Sequence, residues 1–155
     1  MGKAMFYHLT HSPMEVTATT LLTRAYAQGM RVAVRARSEA VLDRLDLHLW
    51  TAAKDSFLPH GRAGGPHDAD QPILLTTEDA APNAPVCVMS IDRADLRAED
   101  VAGLERLWVL FDGQDAQAME LARAQWKAMV SAGVLAEYWS EDSGAWVKKA
   151  QSGQT

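Results

Sequence analysis

Between residues 119 and 127 the chain sets a methionine, an arginine, a tryptophan and a lysine at Met119, Arg123, Trp126 and Lys127. Positions i, i+4, i+7 and i+8 lie one above another on a helix, so the indole stands between two cations. The chemistry open to such a face is recognition of another chain's end: a guanidinium fork takes a carboxylate while the ring packs on an apolar side chain beside it. The same spacing also suits a tryptophan that completes the core, with Arg123 and Lys127 solvated at its edge and Lys127 complementing the helix dipole. Periodicity does not choose between these two readings.

Other reactive residue types point to less. His8 and His11 straddle a strand end, and no carboxylate or cysteine follows at ligand spacing, so no metal is expected. The one cysteine, Cys87, excludes an internal disulfide and a multi-thiolate site, and within an apolar strand its thiol reads as inert packing. No serine stands in a Gly-x-Ser-x-Gly elbow, and no Gly-Lys-Ser or Gly-Lys-Thr occurs. The turn after the first strand, Thr10-His11-Ser12-Pro13, lacks the glycines that let a backbone approach a pyrophosphate. No catalytic residue and no cofactor is therefore assigned, and the chain reads as a binding protein without an enzymatic constellation.

The elements that must position these residues follow from pattern. Leu107 to Phe111 is an apolar run ended by Asp112-Gly113, a strand buried on both faces. Asp115 then caps a helix whose Ala118, Ala122 and Met129 form an inward stripe. Upstream, Met5 to Leu9 is a strand, and Ser12-Pro13-Met14-Glu15 has the form of a capping box opening a helix to about Gln28, with Gly29 as its stop. Arg31 to Arg35 is a second strand, and Ser38 opens a helix with Val41, Leu42, Leu45 and Leu49 inward and Arg44, Asp46 and His48 toward water. Further strands are predicted at Ile73 to Thr76 and Val86 to Ile91. The latter and Leu107 to Phe111 are apolar enough for the sheet centre. Glu137 to Trp139 and Ala145 to Lys148 predict a closing hairpin around Ser143-Gly144, with residues from about Ala150 frayed. Strands alternating with helices over short connections predict an α/β open sheet, mostly parallel, in a single domain spanning residues 1–155.

Residues Trp50 to Pro72 read as a long loop carrying Trp50, Phe57 and Leu58 as apolar anchors. Those anchors either staple the loop to its own domain or form a protein interface. The net charge of −5 argues against a general grip on nucleic acid, which needs clustered Lys and Arg facing phosphates. With neither a signal-peptide pattern nor an apolar run of bilayer length, the expectation is a cytoplasmic, soluble chain with no membrane contact.

Four features together carry a resemblance: the opening Phe6-Tyr7-His8-Leu9, the turn Gly29-Met30-Arg31-Val32, Trp50 followed by Ser56-Phe57-Leu58-Pro59-His60, and Leu121-Ala122-Arg123-Ala124-Gln125-Trp126-Lys127 with Gly133 beyond. In this combination the chain resembles the chi subunit of bacterial DNA polymerase III, a clamp-loader accessory protein. The resemblance implies a Rossmann-like fold without a nucleotide site, and a non-catalytic replication adaptor that binds the acidic C-terminal tail of single-stranded DNA-binding protein, which ends in phenylalanine. Carried over, Arg123 would hold the terminal carboxylate, Trp126 would line the phenylalanine pocket and Lys127 would attract the acidic residues. The family pattern has a lysine one turn before the arginine where this chain has Met119, so the patch carries one cation fewer. A second partner, the clamp-loader psi subunit, would by resemblance meet Trp50, Phe57 and Pro59, while His60 fixes the loop. A nucleotide-handling enzyme and a direct nucleic-acid binder are the alternatives from other classes.

Overall fold

A computed structural model describes residues 2–51, 58–79, 81–101, 103–141 and 145–152. Eight strands form one sheet: β1 (Lys3–Leu9), β2 (Val32–Arg35), β3 (Gly61–Arg62), β4 (Ile73–Thr76), β5 (Cys87–Ser90), β6 (Arg106–Asp112), β7 (Leu135–Ser140) and β8 (Val147–Ser152). Their order is β3-β4-β2-β5-β6-β1-β7-β8. Every neighbouring pair is parallel except β7 with β8. The helices are α1 (Met14–Ala27), α2 (Glu39–Thr51), a short α3 (Ala98–Val101) and α4 (Ala116–Ser131). The α/β architecture and mostly parallel sheet agree with the expectation from sequence, and β5 and β6 do lie in the interior of the sheet.

Alternation along the strands divides the core into two layers. Tyr7, Leu9, Val34, Ile73, Leu75, Met89, Trp108 and Leu110 pack with α1 and α2 on one face. Ala4, Phe6, Ala33, Val88, Leu107, Val109 and Phe111 pack with Ala118, Ala122 and Met129 of α4 on the other. Phe6 and Tyr7 thus serve opposite layers, as do Trp108 and Val109. Among the described residues no helix is long and apolar enough to cross a membrane.

Four expectations are corrected. Ser12 and Glu15 do not form a capping box: Pro13 occupies the N-cap position of α1 without a side-chain cap bond, the Ser12 hydroxyl donates to Glu141, and Glu15 accepts from Arg44 at 2.7 Å. The helix starts one residue later than the pattern implies, and both the Ser12 N–H and its hydroxyl are drawn to the buried Glu141 carboxylate, where charge-assisted bonds are strong. Trp50 belongs to the last turn of α2 rather than to a loop. The glycine-containing run that follows supplies the edge strand β3, which pairs with β4 through Gly61↔Leu74 and Arg62↔Leu75. Finally, Ala150 to Ser152 are not frayed. They continue β8, whose ladder reaches Ala136↔Ser152, because backbone pairing holds a strand whose side chains are almost all exposed. The Ser143-Gly144 turn lies outside the described residues.

Candidate peptide-binding site

The site is built where α4 crosses β1, β6 and β7. In register, Phe6 pairs with Tyr138 across β1 and β7, and His8 pairs with Phe111 across β1 and β6, so Phe6, His8, Phe111 and Tyr138 share the α4 face. Asp115 caps α4 as expected, its carboxylate accepting from Gln117 N at 3.0 Å and Ala118 N at 3.3 Å. Burial of Ala118, Ala122, Gln125 and Met129 then fixes the rotation of the helix. That rotation brings Met119, Arg123, Trp126 and Lys127 to one concavity of about 340 Å³, shared with Phe6, Phe111, Ala122, Tyr138 and Ala150.

The floor is aromatic. Trp126 stands edge-on to Phe6 with centroids 5.4 Å apart and edge-on to Tyr138 at 6.3 Å. The Tyr138 hydroxyl shares a 2.6 Å hydrogen bond with His8 Nδ1, and the His8 ring stacks on Phe111 at 5.1 Å. His8 also explains the glycine of the Asp112-Gly113 turn, since a Cβ at position 113 would stand 2.2 Å from His8 Nε2. His8 is thereby accounted for as a packed, hydrogen-bonded ring.

The rim is cationic. Arg123 and Lys127 are exposed, and among the described residues neither meets a carboxylate or makes a side-chain hydrogen bond. Several other cations are engaged, Arg44 with Glu15, Arg62 with Glu39 and Asp43, Arg35 with Asp100, and both Lys3 and Lys148 with Glu137, while exposed Arg24 and Arg37, like Arg123 and Lys127, have no ion pair among the described residues. An apolar pocket edged by two unneutralised cations can take a hydrophobic side chain and an adjoining carboxylate together. Trp126 serves both readings left open above: half-buried, it packs on the core and lines the pocket.

The second predicted surface is described only in part. Trp50 is 56% exposed and Leu47, one turn earlier on α2, is 64% exposed, giving an apolar ridge that sequence reading missed. Pro59 is partly buried, and Phe57 lies outside the described residues. His60 is buried beside this ridge. Its Nδ1 lies 2.7 Å from the Leu58 carbonyl, its Nε2 2.9 Å from Asp46, and its ring meets Trp50 edge-on at 5.2 Å.

The sequence model of the family described as DNA polymerase III chi subunit, HolC, matches residues 1–137. The chain belongs to the DNA polymerase III chi subunit family. A relative named probable DNA polymerase III subunit chi, from Rickettsia prowazekii (strain Madrid E), is 25% identical over 96 residues, which are 62% of this chain and 58% of that protein. The chain thus spans under two thirds of that relative's length. The family's description names its members as chi subunits of DNA polymerase III. The family match contains Met119, Arg123, Trp126 and Lys127, but Tyr138 and Ala150 lie beyond its end.

Sequence reading missed Phe6, Phe111, Tyr138 and Ala150 as wall residues. Each belongs to a strand, and period-two alternation assigns a face only once the register between strands is known. Gln125 was missed as a core residue. Its amide is buried and donates to the Ala94 carbonyl at 3.1 Å, so a polar residue fills a position of the inward stripe.

Proposed function

We propose that the protein is a non-catalytic replication adaptor that holds the acidic C-terminal tail of single-stranded DNA-binding protein in the Trp126 concavity and so ties the polymerase III clamp loader to coated template. The observation that supports this reading is one of juxtaposition: an aromatic floor of Phe6, Trp126 and Tyr138 lies beside Arg123 and Lys127, two cations without carboxylate partners among the described residues. Arg123 takes the terminal carboxylate, Trp126 and its neighbours take the last hydrophobic side chain, and Lys127 attracts the acidic residues before it. Met119 extends the apolar wall where the family pattern has a cation, so recognition leans further on the hydrophobic side chain and less on charge.

The ridge of Leu47 and Trp50, with Phe57 and Pro59, is assigned to a psi-like clamp-loader partner, and the protein acts in the cytoplasm. Titration of a labelled acidic peptide ending in phenylalanine tests the adaptor reading. The peptide with a free carboxylate should bind, its C-terminal amide should bind much more weakly, and bare single-stranded DNA should show little affinity at physiological salt. Binding of DNA in place of the peptide would overturn the assignment in favour of a nucleic-acid binder, and stabilisation by a nucleotide in place of the peptide would favour an enzyme.

A further inference from the structure

Parallel strands β1 and β7 are paired through His8↔Ser140, so the residues that follow them, Thr10 to Ser12 and Glu141, emerge side by side at the same edge of the sheet. There the backbone N–H groups of Thr10, His11 and Ser12 converge on Glu141 Oε2 at 3.1, 3.0 and 2.9 Å, and the Ser12 hydroxyl donates to Oε1 at 2.7 Å. Glu141 is only 2% exposed. Among the described residues it faces no lysine or arginine, so its charge is balanced by aimed dipoles alone.

Three consecutive N–H groups on one oxygen make a nest, a concavity built to hold an anion. In doubly wound α/β folds the turn after the first strand is also where an external phosphate commonly binds. Here that turn is closed by a carboxylate of the chain itself. The hairpin of β7 and β8 carries the carboxylate, and its Trp139 and Trp146 pack on Tyr7 of β1 at 6.2 and 5.2 Å. A cavity of about 500 Å³ opens beside the turn, lined by Arg44 and Arg93 but also by Glu15, Asp92, Asp112 and Asp115, and Glu141 is not among its lining residues.

We propose that the β1–α1 turn is a carboxylate-binding nest whose ligand is Glu141, that this contact ties the chain leaving β7 to that turn, and that removal of the side chain opens the nest to an external carboxylate. In Glu141→Ala the missing group is CH₂–COO⁻, which acetate matches in size and charge. The test is thermal unfolding of the full chain in acetate and in chloride at equal ionic strength. In chloride, Glu141→Ala should melt roughly 10 °C below wild type, since several charge-assisted hydrogen bonds lose their acceptor. Acetate should recover a large part of that difference with a saturable dose dependence, and should shift wild type by less than about 1 °C. Glu141→Gln, which fills the space but carries no charge, should be destabilised and should not respond to acetate.

An acetate shift no larger in Glu141→Ala than in wild type would overturn the proposal. So would Glu141→Gln melting with wild type, because a neutral filler would then suffice. If Glu141→Ala yields no folded protein, recovery of native tryptophan fluorescence on dilution from urea decides the matter. Greater recovery in acetate than in chloride supports the nest, and equal failure in both overturns it.

Discussion

Replacing Arg123 with alanine should separate the proposed tail recognition from folding. Arg123 is exposed and, among the described residues, without a carboxylate partner, so its loss orphans no buried group and should change unfolding free energy by no more than about 0.5 kcal/mol. In the proposed complex the guanidinium would meet the peptide's terminal carboxylate at the edge of an apolar pocket. Removing one partner of such a pair costs roughly 2 kcal/mol of binding. At about 1.4 kcal/mol per factor of ten, the dissociation constant should rise on the order of 30-fold. Fluorescence anisotropy with an acidic peptide ending in phenylalanine measures this directly, and repeating it with the C-terminal amide completes a double-mutant cycle. Wild type should lose a similar factor on the amide, whereas Arg123→Ala should lose little more, because the two changes remove the same contact. Binding of the free-carboxylate peptide by Arg123→Ala within twofold of wild type would refute the assignment of that residue. Full additivity in the cycle would place the carboxylate elsewhere.

Four further outcomes are expected. Trp126→Ala should lose about 2 kcal/mol of stability in urea unfolding as well as peptide binding, since the half-buried ring contacts Phe6 and Tyr138. Burial, followed by the nearby Glu137 carboxylate, pushes the Tyr7 hydroxyl up to about 12. The folded state therefore keeps a proton that the unfolded chain releases, and the associated stability, on the order of 2 kcal/mol, is complete below pH 10 and lost as pH rises toward 12. Urea midpoints from pH 8 to 12 should fall in wild type and fall less in Tyr7→Phe. Burial likewise pushes the Cys87 thiol up to about 11, so an aromatic disulfide reagent at pH 8 should leave it unmodified until denaturant is added. For Glu137, burial pushes the carboxyl up, but the Trp139 indole, Lys3 and Lys148 outweigh it and hold the group below the ordinary carboxylate range. Its contribution is present above about pH 4.5 and lost as pH falls through the folded value, so Glu137→Gln should flatten the acid limb of the stability curve.

Legibility from sequence followed the length and polarity of each element. The runs Met5 to Leu9, Ile73 to Thr76 and Leu107 to Phe111 are apolar, short and bounded by turn residues, and all are strands. Strand β8 could not be read to its end, because Val147 to Ser152 is exposed on both faces and leaves no alternating pattern. Ser12 was misread since a capping box is a local pattern, whereas its hydroxyl is taken by Glu141, 129 positions away in the chain. At the candidate site the helical half was visible and the strand half was not. Met119, Arg123, Trp126 and Lys127 share one helix and one period, but Phe6, Phe111 and Tyr138 meet only through strand register.

That division of labour between one helix and strands far from it in sequence has a consequence for folding. Phe6 and Ala150 stand 144 positions apart in the sequence, yet both line the same hollow. A chain shortened before β7 keeps Phe6 and Phe111 but lacks Tyr138, so the hollow is complete only once β7 has paired with β1 and β8 with β7.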